Sequence, residues 1–218
     1  MGSRVLVTFC AAGTPIIRHL KPTTDEILSI ARRQFLRKTG LGVTALLLAA
    51  PLIATPACVE TEDNTEGPFY RPGAPERSNL VEPGMPGTRL TVSGRVLSVN
   101  CEPLAGALFD VWQADDSGRY DNQGFTLRAR LYADKSGSYH FDTVIPKHYR
   151  IGGSRMFRPA HIHVKVSAPG FPLLATQLYF PNDPYNVVDP YFRPSLVITP
   201  KDAAGGKVAR FNFVLKPK

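Results

Sequence analysis

Arg158-Pro159-Ala160-His161-Ile162-His163-Val164-Lys165-Val166 is the stretch on which the fold turns. In an extended chain, residues two apart share a face. Ile162, Val164 and Val166 therefore make an apolar face, and His161, His163 and Lys165 point the other way. Working outward, similar β-branched and aromatic runs recur at 89–98, 106–113, 125–132, 138–144, 160–167, 174–180, 195–199 and 208–215. Turn signals separate them at Val99-Asn100-Cys101-Glu102-Pro103, Asp115-Asp116-Ser117-Gly118, Asp134-Lys135-Ser136-Gly137 and Ala168-Pro169-Gly170. No stretch past residue 60 sustains a helical period. About eight short strands at this spacing predict an all-β sandwich. Ahead of them, Thr65–Pro75 is too rich in Gly and Pro for a regular element and reads as an irregular N-terminal extension.

The chain has 218 residues, 43% hydrophobic and 20% charged, enough for one ordinary domain with a core or two small ones. That balance excludes collagen-like, coiled-coil and disordered classes. No apolar run reaches the ~18–20 residues of a membrane span. The net charge of +8 would suit a polyanionic partner, but residues 1–58 carry seven Lys/Arg against Asp25 and Glu26. The remaining chain holds only +3, with no basic cluster beside exposed aromatics, so a nucleic-acid partner is not expected.

Arg32-Arg33-Gln34-Phe35-Leu36-Arg37-Lys38 precedes the apolar run Leu41–Ala50, then Pro51 and Thr55-Pro56-Ala57. A basic start, an apolar stretch and a small residue before a cut form a secretory layout. The alternative, a buried amphipathic helix, would need a polar face that this run lacks. The arginine pair resembles a bacterial twin-arginine signal, which implies the twin-arginine export machinery as a partner and a periplasmic or extracellular destination. The chain thus divides into a leader, 1–58, and a sandwich domain, 59–218. Cys58 follows a poor lipoprotein box, so a lipid anchor is not favoured. Cys10 leaves with the leader and Cys58 sits at the cut, so no structural disulfide is expected at Cys101.

Two same-face imidazoles can converge on one metal, but a site needs three or four donors, and the chain has no C-x-x-C and no H-E-x-x-H. Tyrosines in turn contexts are available: Tyr120 after Asp115–Arg119 and Tyr149 after Ile145–His148. A phenol with a pKa of about 10 becomes a ligand near neutral pH only on a strongly Lewis-acidic, oxygen-loving cation. Fe(III) suits two phenolates and two imidazoles better than zinc, copper or magnesium.

Thr65-Glu66-Gly67-Pro68-Phe69-Tyr70, Gly106–Ala114, Gly118-Arg119-Tyr120-Asp121, Pro146-Lys147-His148-Tyr149, Arg158–His163 and Thr176-Gln177-Leu178-Tyr179-Phe180 follow in one order. Together they resemble the intradiol ring-cleavage dioxygenases, the family of catechol and protocatechuate 3,4-dioxygenases, and most closely its small single-domain members. The resemblance implies non-haem Fe(III) held by Tyr120, Tyr149, His161 and His163, with a small aromatic ortho-diol and O2 as substrates. Both oxygen atoms enter between the two hydroxylated carbons, giving a cis,cis-muconate-type diacid. Tyr149 is then both ligand and base. Arg158 matches an arginine that stabilises the carbanion-like substrate, and Gln177 a glutamine of the same site. Tyr70 is assigned to substrate binding, and Trp112 serves equally as wall or core. Family members often associate, which implies a homo-oligomer. His140 and His148 are read as spectators, and Arg128 and Arg130 as a solvated edge.

A non-catalytic alternative exists. Leu90–Val96, Pro103–Ala107 and Ser136–Phe141 resemble prealbumin-like, immunoglobulin-like sandwiches that serve as binding modules. That pattern identifies the scaffold and not the activity; the four donors discriminate.

Overall fold

A computed structural model describes residues 57–218 except Gly153, together with the backbone of two short strands nearer the N-terminus. The chain divides into two compact units, Met1–Leu52 and Ile53–Lys218. In the first, β1 (Val5–Phe9) and β2 (Pro15–His19) pair antiparallel, with Val5 opposite His19. The expected export signal, Arg32–Ala57, lies outside the described residues apart from Ala57.

The second unit is the sandwich. One sheet runs in the order β10 (Leu174–Tyr179), β9 (His161–Ser167), β4 (Leu108–Gln113), β5 (Arg128–Tyr132), antiparallel throughout. The other centres on β3 (Arg89–Ser98), which pairs antiparallel with β6 (Ser138–Val144). On its far edge β3 meets β12 (Gly206–Arg210) and β13 (Phe213–Leu215) in parallel, with β11 (Lys201–Ala203) beyond β12. Alternation supplies the core between the sheets. Phe109, Val111, Leu131, Ile162, Val164, Val166 and Leu178 face Leu90, Val92, Val96, Phe141, Phe213 and Leu215. Phe109 sits at its centre, with ring centroids 4.5 Å from Tyr139 and 5.6 Å from Phe213.

Two expected strands differ. The run 208–215 is broken at Phe211–Asn212, where Phe211 N donates to Ser93 O and Asn212 Oδ1 accepts from Arg95 N. The bend presses Phe211 O onto Gly94, where an added Cβ would lie 1.7 Å away, so only glycine fits. At 195–199, Pro194–Leu196 forms a 3-10 turn, and only Val197 bridges to Tyr179.

Registers align four side chains in one row across the first sheet. Gln177 lies opposite His163, His163 opposite Trp112, and Trp112 opposite Arg128. This outer face is not left to solvent. Residues 58–80 cross it as a strap, joined to β10 by Asn64 N→Ala175 O (2.7 Å) and to β5 by Arg77 N→Arg130 O (2.9 Å) and Arg130 N→Pro75 O (2.9 Å). The solvated edge expected at Arg128 and Arg130 is therefore wrong for Arg128, which is 1% exposed beneath the strap.

The expectation of no disulfide is also overturned. Cys58 and Cys101 are bonded, with Cα atoms 5.2 Å apart, and Cys58 N donates to Val99 O. Reading Cys58 only as a cut site overlooked that the strap starts beside the β3–β4 turn. Closing a separation of 43 residues removes unfolded-chain entropy worth about 4 kcal/mol. Cys101→Ser is expected to lower unfolding free energy by about 2–4 kcal/mol in denaturant melts, with reductant abolishing the difference from wild type.

Candidate metal centre

Tyr120 and Tyr149 come from separate turns that dock on each other. Asp115 Oδ1 accepts from Ser117 N and Arg119 N, both at 2.9 Å, and closes the first turn. Lys147 N donates to Asp115 O, and Gly118 at φ +82° lies so close to His148 O that an added Cβ would sit 2.5 Å from it. Only glycine allows both the left-handed backbone and this approach. The phenol rings meet edge to face with centroids 5.3 Å apart.

A two-stranded ribbon, β7 (Tyr149–Arg150) and β8 (Phe157–Arg158), pairs Tyr149 directly with Arg158. Three residues past Arg158, the sheet's outer face presents the imidazoles. His161 Nε2 and His163 Nε2 are 3.0 Å apart, and Tyr120 Oη lies 3.3 Å from His161 Nε2. The Tyr149 ring is tilted on His161 with centroids 5.7 Å apart. All four predicted donors are thus brought together, and Arg158 and Gln177 with them. Among the described residues no three His, Cys, Asp or Glu side chains are grouped to hold a metal ion, so this set depends on its phenols.

Electrostatics prepare the donors. His161 Nδ1 sits 2.7 Å from Pro159 O, which fixes its proton there and leaves Nε2 with a lone pair. Burial, then the Arg158 charge, holds the His161 imidazole neutral, its pKa lowered to about 3. Burial and neighbouring His161 keep His163 well below the usual range. Trp112 stacks on His163 at 4.7 Å and 5° between planes, and His163 Nδ1 is buried without a protein partner. Burial, then Tyr149, raises the Tyr120 phenol well above 10. Burial also raises Tyr149, but Arg158 opposes the rise by charge and hydrogen bond.

Arg158 is 5% exposed, with its Nη2 and Nε both engaged. Its Nη2 donates to Asp189 Oδ2 (2.9 Å), Gln177 Oε1 (2.8 Å) and Tyr179 Oη (3.1 Å), and its Nε to Asp189 Oδ2 (3.2 Å). Gln177 Nε2 donates in turn to Thr65 O, fastening the strap beside the site. Tyr70 stands one ring removed, 5.0 Å from Trp112 with Lys165 Nζ 3.5 Å from its ring centre. Trp112 is both core and wall. His148 packs on Tyr185 and Phe157 rather than on the donors, and His140 is exposed on β6.

Sequence reasoning missed Asp189, Phe69 and Arg128. Phe69 stacks on Tyr120 at 4.2 Å and 15°; its place beside Tyr70 in the Glu66–Tyr70 motif was the available signal. Asp189 lies in the loop after β10, where no periodicity points to a buried acid.

The loop after Tyr120 adds a pH-sensitive tie. Asp121 accepts from Gly124 N (2.7 Å), Thr126 N and Gln123 N, and these N–H groups pull its carboxyl far below the usual range. A depressed folded value means stabilisation present above the unfolded pKa of about 4 and lost as pH falls through the folded one. Asp121→Asn is expected to lower Tm at neutral pH and to flatten its fall below about pH 4, as read by thermal melts across that range.

Among the described residues no helix is long and apolar enough to cross a membrane. Residues 65–217 match the model of the Dioxygenase_C family, described as dioxygenase. A hydroxyquinol 1,2-dioxygenase from Rhizobium sp. (strain MTP-10005) is 37% identical over 153 residues, covering 61% of this chain and 52% of that protein. The chain thus spans about half the length of that relative. A 6-chlorohydroxyquinol 1,2-dioxygenase from Cupriavidus pinatubonensis is 32% identical over 217 residues, covering 89% of this chain and 78% of its own. The dioxygenase domain of a dioxygenase carbohydrate-binding protein fusion from Streptomyces sp. SirexAA-E superposes with a TM-score of 0.67 at 42% identity, over 73% of this chain and all of that one. With a family match over most of its length and relatives of one chemical type, the chain belongs to the intradiol dioxygenase family.

Proposed function

We propose that residues 59–218 form a non-haem Fe(III) dioxygenase that opens a small aromatic ortho-diol with O2 between its two hydroxylated carbons, giving a cis,cis-muconate-type diacid. The convergence of His161 Nε2, His163 Nε2 and Tyr120 Oη, with Tyr149 packed against them, carries this reading. The donor chemistry fits ferric iron. Neutral imidazoles keep their lone pairs, and two phenols that burial holds protonated become ligands only on a strongly Lewis-acidic cation. Bound by these four side chains, iron would supply the Lewis acidity that draws charge from a chelated diol and opens its ring to O2.

The chain's own groups do the rest. Tyr149 Oη, beside Arg158, would be a phenolate once it serves as a ligand, and in that form would take a proton from the incoming diol. Arg158 cannot lose its charge, and it favours negative charge developing on the ring. Gln177 fixes that guanidinium and holds the strap over the site. Trp112 walls one side with its ring stacked on His163, and Tyr70 backs it. A non-catalytic module has no use for two buried imidazole nitrogens 3.0 Å apart without a carboxylate between them.

Iron-loaded protein is expected to be coloured by tyrosinate charge transfer, to consume O2 on adding catechol or hydroxyquinol, and to develop muconate-type absorbance. Colourless protein without stoichiometric iron overturns the proposal.

Export through the twin-arginine route belongs to the same reading. The Cys58–Cys101 disulfide supports it, provided the leader is cut ahead of Cys58, because such bonds persist in oxidising compartments, and a bonded Cys58 has no thiol for a lipid. Arg32→Lys/Arg33→Lys is expected to retain the protein in the cytoplasm, and unchanged export would overturn that route.

A further inference from the structure

Arg128 has no part in the function above, yet it is a buried guanidinium in the same sheet row as His163 and Gln177. Its alkyl stem rises from β5 beside Trp112, and its head reaches two backbone carbonyls on different segments. Nη2 and Nε donate to Asp121 O at 2.8 and 3.1 Å, and Nη1 donates to Phe69 O at 2.6 Å. Asp121 is the residue after Tyr120. Phe69 is the ring stacked on the Tyr120 face. One rigid, planar cation therefore ties the chain that carries Tyr120 to the ring that covers it.

Neither tie is supplied elsewhere in kind. Asp121's carboxylate shapes its own loop, 121–126, and does not reach the strap. Arg77 fastens the strap further on, at Phe125 O and Arg128 O, and Arg71 at Gly124 O. Phe69 itself is held by Arg128.

We propose that Arg128 is a positioning residue for Tyr120, acting by clamping the Asp121 and Phe69 carbonyls so that the phenol is presented to the donor set at a fixed distance and angle. The planar fork spans the two carbonyls with separate Nη1 and Nη2/Nε donors, whereas an ammonium presents its three donors from a single nitrogen on a flexible stem. The proposal rests on Tyr120 being a ligand of bound iron.

The test uses iron-loaded full-length protein in four forms: wild type, Arg128→Lys, Tyr120→Phe and the double variant. Iron content, the visible tyrosinate band, kcat, KM and Tm are measured for each. Arg128→Lys is expected to keep the fold, shift the band and lower iron retention or kcat by about 10- to 100-fold. In the Tyr120→Phe background the same change should add little, since the effect runs through the lost phenol. If Arg128→Lys leaves the band and kcat at wild-type values, or if the two substitutions add fully, the proposal is overturned. Should Arg128→Lys fail to fold, Phe69→Leu, which removes the ring that Arg128 holds against Tyr120, is expected to shift the band, and an unmoved band overturns the proposal. Wild-type protein without colour would instead overturn Tyr120 as a ligand, a separate outcome.

Discussion

Tyr149→Phe is expected to lower kcat by about 10²–10⁴-fold, the range for losing a positioned base, with little change in Tm. The substitution deletes one oxygen and leaves the ring in its contacts, edge-on to Tyr120 at 5.3 Å and to Phe69 at 5.7 Å. Arg158 keeps Asp189, Gln177 and Tyr179 as partners, so the buried charge stays compensated. Three donors remain, so iron should be retained with an altered visible band. That combination separates Tyr149 from His161: Tyr149→Phe keeps its ring in place, whereas His161→Ala removes a whole buried ring between Tyr120 and His163, opens a cavity there, and is expected to lose both metal and activity. Turnover with catechol, iron analysis and a thermal melt decide the matter; wild-type kcat in Tyr149→Phe would remove Tyr149 from the proton's path.

Asp189→Ala is expected to destabilise the sandwich by about 3–5 kcal/mol, because it strands a buried guanidinium. The pair is almost completely enclosed, with Arg158 Nη2 and Asp189 Oδ2 2.9 Å apart. The carboxylate outweighs the burial that opposes the Arg158 charge and holds its pKa above the ordinary arginine value. Activity should fall as well, since Asp189 orients the guanidinium against Tyr149. The two effects are separable. Arg158→Met/Asp189→Leu is expected to recover most of the stability, because apolar replacement of a buried pair is often neutral or better, but none of the activity. Denaturant melts beside kcat measurements show whether stability and turnover part in this way.

Much of this was legible from residue patterns, for definite reasons. Six of the eight expected strands form essentially where alternation put them, since period-2 sequences have one way to bury an apolar face. The imidazole pair was legible because β9 alone places His161 and His163 together. The phenols came into view through motif order, because their meeting depends on Gly118 docking at His148, a contact between distant segments. Arg128 was misread for a related reason. Spacing shows that Arg128 and Arg130 share a face but not what lies over it, and the strap that covers that face has no periodicity. Cys58 was misassigned because its partner lies in the β3–β4 turn, where the strap begins, and spacing does not show which distant turn a chain segment starts beside.

The row Gln177, His163, Trp112, Arg128 also limits which changes of length the domain can absorb. In most sandwiches a strand that slips by one residue exposes apolar groups but loses no chemistry. Here the outer face of β9 is covered as well as the inner one, so a single residue inserted ahead of His161 would turn Ile162 outward among the phenols and drive His163 into the core opposite Val111. Length changes are therefore expected to be tolerated in a connection such as Ala168–Leu173 and not within β4, β9 and β10, which are locked in phase. The rim can change in length, but the register that sets Gln177, His163, Trp112 and Arg128 side by side holds only as one frame.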